Sequence, residues 1–259
     1  SFIDDPTRIL RAVRLEQRLG FTIEENTADL IAAALPFIDR VSGERIRNEL
    51  ELGLNEANPA LVLERLDDLG VLTRLHPDLH WRPETAAIYG RIQAFADDPL
   101  WGDIFRSGPT VFYFFSTWLA QFPAPVPEQV AGRLRVRKAT LDDLLGVGTL
   151  RTRLEALPDD ARPSSIVHTL EHFAPRTLLT TRLLDLSPRM NEWLDRYVSE
   201  WRFVRPSTTG QELKLAGLPP GPRYGRILER LLVARLDGEV DDDAGEKALL
   251  EEMLGRELE

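Results

Sequence analysis

The sequence predicts an all-α fold, helix packed on helix. Three observations carry that expectation. Apolar residues recur at three- and four-residue spacings in nearly every segment, and no segment keeps a strand-type alternation. The periodic stretches are also punctuated by cap residues, prolines and glycines where helices start and stop. No fixed period marks a repeat array.

Asp5-Pro6 opens the first helix, a carboxylate at the cap and then proline where a missing N–H costs nothing; Gly20 closes it. Within it Arg8, Arg11, Arg14 and Arg18, spaced three, three and four, form one ridge. Thr27 to Leu35 is a short amphipathic stretch that ends before Pro36. Ser42 caps the next helix, with Arg45 where a capping box usually carries Glu, and Ile46, Leu50 and Leu54 step along its body. Asn58-Pro59 starts a helix through Leu69, ended by Gly70.

A break around His80 to Pro83 precedes helices over 85–95 and 111–122. The second holds Phe112, Tyr113, Phe114, Phe115, Trp118 and Phe122; it is too short to span a bilayer and reads as a buried core helix. After Pro123, Pro125 and Pro127, helices are expected over 128–134, 140–145, 149–157, 163–173, 176–184 and 188–201. A boundary falls near Arg205 to Gly210. Beyond it come a short helix over 212–215, the turn Gly217 to Gly221, a helix over 223–236 and an acidic helix from Asp243 to Leu258.

At 259 residues and 43% hydrophobic content the chain can bury a substantial core, divided among two or more lobes. It has no cysteine, which excludes disulfides and thiolate metal sites. No apolar run approaches the ~20 residues of a membrane span and no signal peptide opens the chain, so the expected setting is cytoplasmic, away from any membrane. The net charge of −10 taken alone argues against a nucleic-acid partner, but a local basic face on an acidic protein still attracts one. The chain opens at Ser1 with a helix cap almost at once, which suggests a fragment or a processed product. Nothing in it sets an oligomeric state.

Four guanidiniums beside a helix N-terminus suit a nucleotide or phosphate, yet a plain cap with arginines paired to acidic neighbours explains the same residues. Arg133, Arg135, Arg137 and Lys138 make the densest basic run, suited to an RNA backbone or simply to a solvated helix end. His168-Thr169-Leu170-Glu171-His172 fits H-x-x-E-H, an inverted zinc-peptidase pattern without an evident further ligand; a surface histidine pair accounts for it, and no metal ligand is assigned. Trp81, Trp101, Trp193 and Trp201 read as core anchors rather than base-stacking platforms.

Two motifs in register carry a family resemblance. Asp4-Asp5-Pro6-Thr7-Arg8 runs into Arg11-Ala12-Val13-Arg14-Leu15 and ends at Leu19-Gly20-Phe21; Ser42-Gly43-Glu44-Arg45-Ile46-Arg47-Asn48-Glu49-Leu50 follows, then Leu69-Gly70-Val71-Leu72 and Leu75-His76-Pro77. This resembles the neck of the tRNA nucleotidyltransferase (CCA-adding enzyme) and bacterial poly(A) polymerase family. A weaker match, Thr209-Gly210-Gln211-Glu212-Leu213 to Leu236-Asp237-Gly238, is similar to the tail of its longer bacterial members, with Gly-Gln-Glu-Leu in place of the usual Gly-Lys-Asp-Leu.

The resemblance implies an elongated helical array in three parts. These are a neck for nucleotide recognition and RNA binding over 1–80, a helical body over 81–205 and a helical tail over 206–259. It implies that Asp5 and Arg8 read the Watson–Crick edge of incoming ATP or CTP, with Arg11 in support. Carboxylate accepts from an exocyclic amine and guanidinium donates to ring nitrogen or carbonyl, so the pairing is chemically sound. Arg14 and Arg45 join the run at Arg133, Arg135, Arg137 and Lys138 as candidate contacts to a tRNA or other RNA 3′ end.

The family's catalytic carboxylates belong to a polymerase-β-like head that would precede this segment. Two-metal transfer needs carboxylates converging on ions ~3.5–4 Å apart. The pairs Asp67-Asp68, Asp97-Asp98, Asp142-Asp143 and Asp159-Asp160 sit at helix starts or turns with no Gly-Ser partner. Mg²⁺ and nucleotide are therefore expected to enter through that missing head, with no cofactor and no catalysis expected of this segment alone. The alternative is a catalytically inactive RNA-binding or protein-interaction module on the same scaffold.

Overall fold

A computed structural model of the chain describes residues 1–255. The described residues form sixteen α-helices and three 3-10 turns with no strand, so the all-α expectation holds. In chain order the helices are α1 Thr7–Leu19, α2 Glu25–Ala34, α3 Gly43–Leu54, α4 Pro59–Asp68, α5 Val71–Leu75, α6 Glu84–Ile92, α7 Gly102–Arg106 and α8 Thr110–Leu119. Then follow α9 Val126–Arg133, α10 Lys138–Glu155, α11 Pro163–Leu170, α12 Pro175–Leu183, α13 Pro188–Ser199, α14 Gly210–Leu215, α15 Pro222–Leu236 and α16 Asp243–Gly255. The expected extension of the last helix to Leu258 lies outside the described residues. No helix among them is long and apolar enough to cross a membrane.

The helix signals act largely as the sequence anticipates. Gly20 takes the left-handed conformation, φ 65°, and returns its N–H to the Glu16 carbonyl. Ser42 caps α3 by accepting from the Arg45 N–H. Thr209 and Glu212 complete a reciprocal capping box on α14. One expectation is corrected: 140–145 and 149–157 are a single helix, α10, running through Gly146 and Gly148. Gly146 is a notch rather than a break, because a Cβ there would press on Thr177 of α12 at 3.2 Å. Packing held this helix together where glycine propensity argued for a gap.

The chain divides into two compact units, residues 1–152 with 173–187, and residues 153–172 with 188–259. That partition follows packing; the sequence landmarks at 80/81 and 205/206 mark a different one.

In the first unit α1 lies on α3 and α4, burying Ile9, Val13, Ile46, Leu50 and Leu63. The aromatic helix α8 is buried along Phe112 to Leu119 and packs on α3, α6 and α12, as its composition predicts. Buried Ser116, Thr117 and Thr181 return their hydroxyls to carbonyls four residues back, so each of these hydroxyls has a partner.

In the second unit α11 packs on α13 and α15, and Leu213, Leu218, Ile227 and Leu231 form the core beneath α14 to α16. Trp101, Trp193 and Trp201 are buried, as core anchors should be, and Trp81 is half-buried.

Candidate nucleotide and RNA site

Asp5 and Arg8 stand at the start of α1, inside the first unit. The chain turns at Asp5: its Oδ1 accepts from the Thr7 N–H at 3.2 Å and from the Thr7 hydroxyl at 2.6 Å. Arg45, from the first turn of α3, adds a third bond to the same Oδ1 at 2.9 Å. Oδ2 has no partner among the described residues. The Thr7 hydroxyl bond above all, helped by the Arg45 charge, holds the Asp5 carboxyl below its ordinary 3.8 against the opposing cost of burial. Asp5 is thus an ionised acceptor, fixed by one oxygen and open at the other.

The arginine ridge divides by partner. Arg11 grips buried Glu49 of α3 with Nε and Nη2, both at 2.7 Å. Arg14 lies 3.9 Å from Glu56. Both therefore fasten α1 to its neighbours, as does Glu16, which accepts from Arg65 of α4 at 2.9 Å. Arg8 differs. It is exposed, its side chain makes no hydrogen bond or ion pair among the described residues, and it lines a cavity of about 330 Å³ with Phe2, Ile3 and Leu30. Helical geometry explains the split: at 100° per residue Arg8 sits 60° round from Arg11 and 120° from Arg14.

A second cleft of about 460 Å³ is lined by Asp4, Phe37, Arg40 and Arg45. Arg40 stacks over the Phe37 ring at 4.8 Å and has no ion-pair partner among the described residues. Sequence reasoning missed Arg40, five residues before Arg45, because it lies ahead of the Ser42 motif; the fold sets both in the lining of one cleft.

The basic run is also split by the fold. Arg133 points inward, donating from Nη2 to the Ile38 and Val41 carbonyls at 3.1 Å. Arg47 of α3 reciprocates, donating to the Leu134 carbonyl at 3.3 Å and to that of Arg135. These bonds satisfy carbonyls that the end of α9 leaves open. Gly43 meets the Arg133 backbone directly. Arg135, with φ 53°, Arg137 and Lys138 keep their side chains in solvent without partners among the described residues. The first turn of α3 therefore brings the acidic-x-x-Arg element and the basic run together, although 128 positions separate Asp5 from Arg133.

Residues 20–82 match a family model described as a probable RNA and SrmB-binding site of polymerase A. The A-adding tRNA nucleotidyltransferase of Geobacter sulfurreducens is 34% identical over 92% of this chain and 28% of that protein. The A-adding enzyme of Halalkalibacterium halodurans is 28% identical over 93% of this chain and 55% of its own length. Among solved structures, the Thermotoga maritima CCA-adding enzyme complexed with tRNA is 28% identical with a TM-score of 0.71, over 100% of this chain and 62% of that one. A CCA-adding enzyme in complex with ATP superposes with a TM-score of 0.72 and 28% identity, over 100% of this chain and 62% of that one. The chain thus spans about a quarter to three-fifths of the proteins it matches. With that agreement in sequence and in helical architecture, it belongs to the tRNA nucleotidyltransferase and poly(A) polymerase family, whose C-terminal part it matches.

Proposed function

We propose that this chain is the base-reading and RNA-holding part of an enzyme that adds nucleotides to tRNA or other RNA 3′ ends. Arg8 and Asp5 Oδ2 would meet the Watson–Crick edge of incoming ATP or CTP, and Arg45 would position Asp5. Arg135, Arg137 and Lys138, with Arg40 beside the nucleotide, would hold the RNA backbone. Arg11, Arg14 and Arg133 serve this site indirectly, through the packing that their bonds secure.

The observation that carries the reading is the contrast between Arg8 and its neighbours on α1. Arg11 and Arg14 have carboxylate partners, while Arg8 stands free over a cavity with apolar walls. An unpaired guanidinium three residues along the chain from a carboxylate that offers one open oxygen supplies a donor and an acceptor, which a nucleobase edge requires.

Metal-assisted phosphoryl transfer would come from a catalytic head outside this segment. Mg²⁺ and the nucleotide triphosphate would bind there, and the whole protein would work in the cytoplasm, where tRNA is matured. A catalytically inactive module on the same scaffold remains the competing reading, and one experiment separates them. Nucleotide incorporation by the intact protein onto tRNA lacking its terminal nucleotide is expected, and Arg8→Ala should lower its discrimination between nucleotides at least about tenfold, roughly 1.4 kcal/mol. Folding should be untouched, because Arg8 has no partner to lose. No incorporation at all favours the inactive module; incorporation with unchanged nucleotide choice removes Arg8 from the reading.

A further inference from the structure

The end of α11 and the turn just after it carry a constellation that nucleotide addition does not use. His168 on α11 and His172, two residues past its end, set their ring centroids 5.6 Å from each other at 78°. Glu171 lies between them: its Oε1 is 3.3 Å from His168 Nδ1 and 3.7 Å from His172 Nε2. All three ligand atoms fall within 4.8 Å of one another, the one cluster of this kind among the described residues. None of the three side chains has a hydrogen bond or ion pair outside the cluster.

We propose that His168, Glu171 and His172 form a surface site for a late first-row divalent ion, with zinc the best fit. Tetrahedral zinc with bonds of about 2.1 Å needs ligand atoms roughly 3.4 Å apart, so two of the three edges already have nearly that length. The third closes by rotating exposed imidazoles, with no backbone movement. Two neutral imidazoles and one carboxylate favour zinc, copper or nickel over magnesium or calcium, which prefer all-oxygen shells. The platform is fixed from beneath, since Val167 and Leu170 on the same turn are buried where α11 packs on α13 and α15. Three protein ligands leave the remaining position to water or to a group from a partner.

The sequence pattern also fits an inverted zinc peptidase, but the geometry supports binding alone. Glu171 stands at ligand distance from both histidines instead of behind a water, and all three side chains are exposed. That exposure sets the strength: ordering free side chains opposes binding, so affinity in the micromolar range is expected.

Zinc is titrated into the full chain by calorimetry, with cobalt as a spectroscopic substitute. One equivalent should bind, and the imidazole signals of His168 and His172 should shift in NMR spectra while those of His76 and His80 stay still. His168→Ala and His172→Ala should each weaken binding at least about tenfold, and both variants fold because neither ring is buried. The proposal is overturned if the native chain binds no stoichiometric zinc. It also fails if the double variant binds as the native chain does, which would place the ion on other carboxylates.

Discussion

Arg45 donates to Oδ1 of Asp5 across 2.9 Å, joining the first turn of α3 to the segment that leads into α1. The bond fixes which carboxylate oxygen faces inward and which remains open. Without it Asp5 keeps only its local bonds to Thr7, and the open oxygen loses its direction.

Arg45→Ala is therefore expected to act as loss of a positioning residue. In the intact protein it should raise KM for nucleotide by about fivefold, in keeping with roughly 1 kcal/mol for a partly exposed pair, with a smaller change in kcat. Arg45→Lys should recover part of the loss, since a single-point donor can still reach Oδ1. Equal effects of alanine and lysine would show that Arg45 contacts RNA directly and does not work through Asp5.

Gly43 tests the contact that brings the basic run to α3. A Cβ at this position would fall inside van der Waals contact of the Arg133 carbonyl, a backbone atom that cannot step aside. Gly43→Ala should cost about 2–3 kcal/mol and lower Tm by roughly 5–10 °C. Gly132→Ala is the control: it sits in α9 with open space around it, so it should be neutral or slightly stabilising. A Gly43→Ala melt that matches the native one would contradict the close approach.

Glu246 gives a pH dependence in the second unit. Its buried carboxylate accepts from the Ser207 and Thr208 N–H groups at 3.0 and 2.7 Å and from Arg235. Burial raises its pKa, but the Thr208, Arg235 and Ser207 bonds outweigh that and hold it below the ordinary 4.5. A depressed folded value means stability that is complete above 4.5 and is lost as pH falls through the lower folded value. The native chain should therefore lose Tm more steeply than Glu246→Gln between pH 5 and about pH 3. At pH 7 the variant should be less stable by about 1–3 kcal/mol. Parallel Tm–pH curves for the two proteins would rule out this linkage.

The sequence by itself determined the all-α class, most of the helices with several of their ends, and the family. Asp5-Pro6, Ser42 and Gly20 are local signals, and each acts on backbone groups within a few residues, so each is legible in one dimension. The aromatic run at 112–118 was equally legible as buried core, because burial of so many rings has no other solution in water.

Only the tertiary structure decided which arginines are free. Arg8, Arg11 and Arg14 look alike in sequence, as do Arg133 and Arg135. What separates them is whether Glu49, Glu56 or the Val41 carbonyl lies opposite, at separations of 38, 42 and 92 residues. Gly146 makes the same point for the backbone: a helix break by propensity became a packing notch because Thr177 lies against it. Local propensities act over a turn or two of chain, whereas charge pairing and close packing depend on neighbours that only folding supplies.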